Sequence, residues 1–418
     1  MQMDRKWQQM PWYDALLYIT MVFMSIAVPI AWRWGLMAMT LLCIAAVVKM
    51  VATRHIGNST IDASGRWAFA AIAAFWAAYF VSALMSKDQA QAWHIVGVHL
   101  SMLILPLVFM LCDTSLLTQH RIRILFATLT ATLLVRFAVR VIIAIVNINN
   151  GTPINEIYDV GFEPLHHNYL SLYILTALSF LYGEIIRPRY ERLLRLPLWM
   201  IFCIVAILVF YIVISGSRSG LIIFALLAAA CVTHYALFMH KTKDALIALG
   251  IIAVLAFASY LALPSLYERL AETLAAVVSG SSSDVRPLMY RSGWEVGMRH
   301  PVFGMGIGDY WPAYQEQLAH NGFVYGFIHY FDSHNQYLET FMGMGFIGLT
   351  LQLCMMALPL VAAYMQRRNR LLMTLFTLVY AVSIFFEATL GRQMGVLFVT
   401  WWLCILIFAT QKDDRQIS

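Results

Sequence analysis

Residues 197–240 read PLWMIFCIVAILVFYIVISGSRSGLIIFALLAAACVTHYALFMH. Two apolar runs of about the twenty residues a helix needs to cross a hydrocarbon core flank the six-residue turn Ser215-Gly216-Ser217-Arg218-Ser219-Gly220. Neither run carries an Asp, Glu, Lys or Arg. The pair reads as a transmembrane hairpin, and the rest of the chain repeats that texture. Of 418 residues, 61% are hydrophobic and 12% charged, with a mean hydropathy of +0.72. Soluble domains carry about 25% charged residues. A chain this poor in charge cannot cover a water-facing surface, which excludes a soluble enzyme, a disordered chain and a fibrous repeat.

Windows of about twenty residues predict twelve spans at 13–31, 34–52, 67–85, 92–112, 122–147, 166–186, 197–215, 220–240, 245–263, 336–365, 371–387 and 394–410. Asp4, Arg5 and Lys6 precede the first span, and no small-residue cleavage site follows it, so it reads as a retained helix. The expected fold class is an all-α polytopic membrane protein of about twelve transmembrane helices. Residues 1–263 hold nine of them, 264–335 form a long outer loop with amphipathic helices, and 336–418 hold three more and a tail.

The basic residues orient this layout. Of 28 Lys and Arg, eighteen fall on the side of the termini, among them Lys49, Arg54, Arg66, Arg123, Arg187, Arg192 and Arg367. Basic loops stay cytoplasmic, so both termini are expected inside and Pro264–Ser333 outside. The net charge of +6 is thus a topology signal. No basic loop interleaves aromatics as a base-stacking surface would, so no nucleic-acid partner is expected. All six cysteines lie in or beside spans, and neither a CxxC pair nor two histidines three or four apart stands in the chain. No metal and no cofactor are expected.

The polar chemistry gathers at the outer ends. In Ser215–Gly220, converging N–H groups and hydroxyls beside one arginine suit an anion at a helix start; a plain turn with a snorkelling arginine reads equally well. In the long loop, Leu266–Val278 reads as a surface amphipathic helix, Ser279–Ser283 as a break, and Pro287–Met298 as a second helix. There Arg291 and Glu295 stand one turn apart, as a functional arginine with its partner or as an ordinary i,i+4 ion pair. His300-Pro301-Val302-Phe303-Gly304-Met305-Gly306-Ile307-Gly308 has alternate glycines but no strand before them, which points to a tight backbone turn and not a nucleotide fingerprint. Asp332-Ser333-His334-Asn335 opens the tenth span. His334 suits a general base with Asp332 as its orienting partner, or an interfacial helix cap. His166 and His167, at the start of the sixth span, carry the same two readings. Arg136 and Arg140 lie one turn apart inside the fifth span. A lipid-facing cation there would cost about 2.5–3.5 kcal/mol on insertion scales, so both are expected to face a polar cavity open outward.

Three of these motifs in this order, SGSRSG, then HPVFGMGIG, then SHNQYLETFMGMGFIGL entering a span, resemble the O-antigen ligase family over about residues 215–348. The family shares its fold with O-antigen polymerases and protein O-oligosaccharyltransferases. The resemblance implies a GT-C-like membrane glycosyltransferase in the bacterial inner membrane, working on the periplasmic side. Its donor would be an undecaprenyl-diphosphate-linked O-antigen and its acceptor a sugar hydroxyl of lipid A–core, by an inverting, metal-independent transfer. It places Arg218 and Arg291 on the diphosphate and His334 as the base; the residue reading itself adds Arg136, Arg140, Ser217, Ser219, His166, His167 and Asp332 as substrate-binding candidates. Polymerase and protein-directed transfer are the alternatives within the fold, the latter disfavoured because no further domain is expected after the last span. From another class, a lipid-linked glycan transporter would hide its polar groups in broken helices at mid-membrane, whereas here they cluster at the outer surface.

Overall fold

The computed structural model describes residues 10–151, 165–243 and 285–411. Among these the secondary structure is helical throughout: α1 Trp12–Ile30, α2 Trp32–Thr53, α3 Ala63–Met85, α4 Gln89–Val98, α5 Ser101–Leu111, α6 Gln119–Asn149, α7 His167–Ile186, α8 Leu198–Ile214, α9 Arg218–Leu237, α10 Arg286–Gly297, α11 Tyr310–His320, α12 Val324–Ile328, α13 Gln336–Gln366, α14 Arg370–Phe386 and α15 Gln393–Gln411. Eight segments are long and apolar enough to cross a membrane, with α4 and α5 forming one of them, and α8, α14 and α15 are shorter apolar helices. The chain is an all-α polytopic membrane protein. Eleven of the twelve expected spans fall on these helices. The span expected at 245–263, the amphipathic helix at Leu266–Val278 and the break at Ser279–Ser283 lie outside the described residues.

Helix α15 sits in the middle of the bundle. Its MGVLFVTWWLCILIF run is apolar on every side, the pattern of a helix with no water face, and every residue from Gly395 to Ala409 is buried. Phe398 stacks on Tyr173 of α7 at 4.0 Å and Trp402 lies 4.3 Å from Phe126 of α6. At the end of the bundle away from His334, buried Lys49 of α2 pairs with Asp14 of α1 at 2.6 Å. Arg123 of α6 grips Glu184 of α7 through Nε at 2.9 Å and Nη2 at 2.6 Å. Both pairs are charged groups that burial would penalise unless partnered.

The HPVFGMGIG segment shows why its glycines alternate. Helix α13 breaks at Gly345 (φ +62°, ψ −161°), which frees backbone groups that an apolar environment would not satisfy. The loop satisfies them. Phe346 N–H donates to the Pro301 carbonyl at 2.8 Å and Ile347 N–H to Val302 at 3.3 Å, while Met305 and Gly306 donate to Met342 and Gly343 at 2.9 and 3.1 Å. Backbone lies directly on backbone: a Cβ at Gly304 (φ +73°) would stand 2.3 Å from Met344 N. Ser82 of α3 and Ser86 at its C-cap accept the N–H groups of Ile307 and Gly308, and Asp309 accepts from the Lys87 and Asp88 N–H groups. The expected tight turn is therefore a strap that locks α3, α13 and the loop ahead of His334 together.

Candidate active site

The strap leads into α11 and α12, and the chain then winds tightly through Asp332–Asn335. Asp332 Oδ1 accepts the His334 N–H at 2.9 Å, Ser333 donates to the Asn335 carbonyl at 3.0 Å, and Asn335 Oδ1 caps α13 at Leu338 N–H, 3.2 Å. These bonds hold His334 in the left-handed region, φ +45°, a conformation that costs a non-glycine residue about 1 kcal/mol or more. The ring points Nδ1 at two carboxylates, Asp332 Oδ1 at 3.2 Å and Glu387 Oε2 at 3.3 Å.

Glu387 follows α14 and is buried. The starts of α7 and α13 converge on it. His334 comes from just before α13, His166 Nδ1 from the N-cap of α7 at 4.0 Å, and Asn168 Nδ2, from the second residue of α7, donates to Oε2. Gln336 Oε1 accepts the Leu390 N–H at 2.8 Å, which fixes the turn that carries the carboxylate. On the other side of Asn168, its Oδ1 accepts from Ser219 at 2.5 Å and Ser217 at 3.3 Å. Ser217 is also the N-cap of α9, accepting the Gly220 N–H at 3.0 Å. A Cβ on Gly220 would stand 2.3 Å from Ser171 Oγ of α7, so the last glycine of SGSRSG is what lets α9 approach α7. Arg218 is the first residue of α9, between the two pinned serines, and its charge acts on His167.

Burial opposes a charge on His334, but the Glu387 hydrogen bond and the Asp332 and Glu387 charges outweigh it, and its pKa stands above the usual histidine value. For Glu387, burial pushes upward; the bond and charge of His334, with His166 and Asn168, win and hold it below the ordinary carboxylate value. Burial lowers His166, with Arg392 and His334 adding to the effect against Glu387. The two shifted partners describe one ion pair. In the neutral imidazole, with Nδ1–H turned to the carboxylates, Nε2 is the nitrogen left for an incoming hydroxyl.

Most of the sequence-expected residues meet here: His334, Asp332, His166, His167, Ser217, Ser219 and Arg218. Arg291 stands apart from them. It lies on the open face of α10, its side chain 68% exposed, with Nε 2.8 Å from Glu295 Oε1. Glu295 also accepts from Gln317 and Asn321, each at 2.8 Å, so it keeps partners if Arg291 turns away. On the same helix it is Arg286 whose charge reaches His334. Arg136 spends Nη1 on the Pro29 and Ile30 carbonyls at 2.8 Å each, where a cation complements the C-terminal end of α1. Arg140 is half-buried one turn further along α6.

Sequence reading missed Glu387 and Asn168. The signal for Glu387 was an acid at the membrane edge of a short turn between two apolar spans. Asn168 was next to a histidine pair already singled out. Asp332, His334 and Glu387 each offer one ligand atom within 4.8 Å of the others, a spacing that could hold a divalent cation. His334 Nδ1 lies between the two carboxylates, so a proton on that nitrogen can serve the same atoms in place of a cation.

Residues 203–353 match the family model described as O-antigen ligase. Over that stretch the chain is similar to the O-antigen ligase family. The family domain includes Arg218, Arg291 and His334, whereas His166, His167, Asn168 and Glu387 lie outside the matched stretch. No curated protein matches the chain significantly. The family carries a ligase- or polymerase-like, glycosyltransferase-type function in general terms, with lipid-linked glycan and lipid A–core as its general partners.

Proposed function

We propose that this protein is an O-antigen ligase, transferring a glycan from undecaprenyl diphosphate to a sugar hydroxyl of lipid A–core. The transfer inverts the anomeric centre, needs no metal, and occurs on the periplasmic side of the inner membrane, with both termini cytoplasmic. The reading rests above all on one observation: His334 presents Nδ1 to Glu387 and Asp332 at the foot of the serine-pinned turn that carries Arg218.

The acceptor oxygen attacks the anomeric carbon while its proton passes to His334 Nε2. The bond from that carbon to the diphosphate oxygen breaks, and the leaving diphosphate takes the electron pair. Its growing charge needs fixed cations, and a guanidinium can contact two phosphate oxygens at once. Arg218 supplies the first such group from the α9 N-terminus, where the helix dipole adds to it. Arg291 supplies the second after exchanging an exposed ion pair worth about 1 kcal/mol or less for the diphosphate. Arg136 and Arg140 add positive field from α6. Ser217, Ser219, His166, His167 and Asp332 line the site.

The test is reconstitution of purified protein in liposomes with lipid-linked glycan and lipid A–core. Glycan on lipid A–core is the expected product. Product on a second lipid-linked glycan would make the protein a polymerase, and glycan moved across the bilayer without covalent change would make it a transporter.

A further inference from the structure

The SGSRSG turn and the His334–Glu387 pair come from distant parts of the chain, and one side chain joins them. Asn168 Nδ2 donates to Glu387 Oε2, and Asn168 Oδ1 accepts from Ser219 at 2.5 Å and Ser217 at 3.3 Å. The orientation of the amide is dictated by its neighbours: an ionised carboxylate only accepts, so the NH₂ end must face Glu387 and the carbonyl end must face the hydroxyls. The result is a one-way chain. Gly220 N–H donates to Ser217 Oγ, Ser217 and Ser219 donate to Asn168, and Asn168 and His334 donate to Glu387. Chains of this kind are directional and polarise along their length.

We infer that Asn168 is a positioning residue that sets Arg218 and His334 in one frame. It rests on the ligase reading above, in which Arg218 meets the diphosphate and His334 the acceptor hydroxyl. The two serines it holds are the immediate neighbours of Arg218, so the amide decides where the guanidinium stem leaves the helix. Its other end fixes the carboxylate against which the imidazole is oriented. Transfer needs both groups around one glycosidic bond, and misplacement by about 1 Å can cost on the order of 100-fold.

The experiment uses the full-length protein and two readouts. In the first, binding of undecaprenyl diphosphate alone is measured for wild type, Ser219→Ala, Glu387→Gln, Asn168→Ala and the double variant Asn168→Ala/Ser219→Ala. In the second, kcat and donor KM are measured for the same set and for the double variant Asn168→Ala/Glu387→Gln. The frame requires that Ser219→Ala chiefly weakens diphosphate binding, that Glu387→Gln chiefly lowers kcat, and that Asn168→Ala does both, each by about 10-fold or more. Each double variant should then be no worse in the shared parameter than the worse single one. Losses that multiply, or an Asn168→Ala that changes only one of the two parameters, overturn the inference. If Asn168→Ala does not fold, Ser219→Thr decides: the retained hydroxyl should restore diphosphate binding lost in Ser219→Ala, and failure to do so overturns the Asn168–serine link. A failed ligase reading looks different, since glycan would then not reach lipid A–core while coupling in diphosphate binding persisted.

Discussion

Replacing Glu387 by Gln tests the site at its centre, because the side chain keeps its shape and loses only its charge. In the wild type His334 Nδ1 and Asn168 Nδ2 both donate to Oε2. Charge-assisted bonds contribute about 1.5–3 kcal/mol and neutral ones about 0.5–1.5. When His334 accepts the hydroxyl proton it becomes a cation, and the carboxylate is then the partner that stabilises it. Loss of about 1.5–3 kcal/mol in that state corresponds to roughly a 10- to 160-fold fall in the plateau kcat. The pH profile moves as well. The active imidazole is neutral, so kcat/KM rises with pH through the His334 pKa, which Glu387 and Asp332 hold above the ordinary value of 6.5. Without the Glu387 charge that limb shifts to lower pH. Stability should follow the same signs. The raised His334 pKa contributes stability below about 6.5 that fades as pH rises, and the depressed Glu387 pKa contributes stability above about 4.5 that fades as pH falls. The thermal midpoint difference between wild type and Glu387→Gln is therefore greatest between those values. An unchanged plateau with an unmoved limb, measured on folded protein, would refute the pairing.

Arg218→Lys should retain more turnover than Arg218→Ala while staying well below wild type, since Lys keeps charge without the planar fork; equal activity of Lys and Arg would remove the two-oxygen contact. Arg291→Ala should raise donor KM without a change in thermal midpoint, because Glu295 keeps Gln317 and Asn321; loss of the fold would make Arg291 structural. Turnover should persist in EDTA. Activity lost to the chelator and restored by Mg²⁺ or Mn²⁺ would turn Asp332, His334 and Glu387 into metal ligands. Gly304→Ala should lower stability by about 3 kcal/mol or more, because its Cβ would stand 2.3 Å from Met344 N; a wild-type melt would show that the strap yields. A cysteine at exposed Glu316 should react with an impermeant thiol reagent in intact spheroplasts, and labelling only after lysis would invert the topology.

The membrane class and the span positions were legible in the sequence because they depend on local quantities. Twenty apolar residues make a span wherever they stand, and the apolar windows land on α1 through α9 and α13 through α15. His334, Asp332, Ser217 and Arg218 were also legible, since each sits where a polar motif interrupts an apolar run. The loop helix expected over Pro287–Met298 is α10, but its arginine was not so simply placed. Periodicity put Arg291 beside Glu295, and the structure keeps it there; whether a helix face turns toward His334 is a matter of packing against α13, which no local pattern encodes. Glu387 and Asn168 are the clearest case. Each is a single polar residue at the end of an apolar helix, and each has meaning only because α7, α9, α13 and α14 bring their ends to one point. A carboxylate 219 residues along the chain from its amide partner and 53 from its imidazole leaves no spacing to read. Hydrophobicity sums along the chain, so the sequence determined what crosses the bilayer. Hydrogen bonds form over about 3 Å in space, so only the tertiary structure decided which polar ends meet.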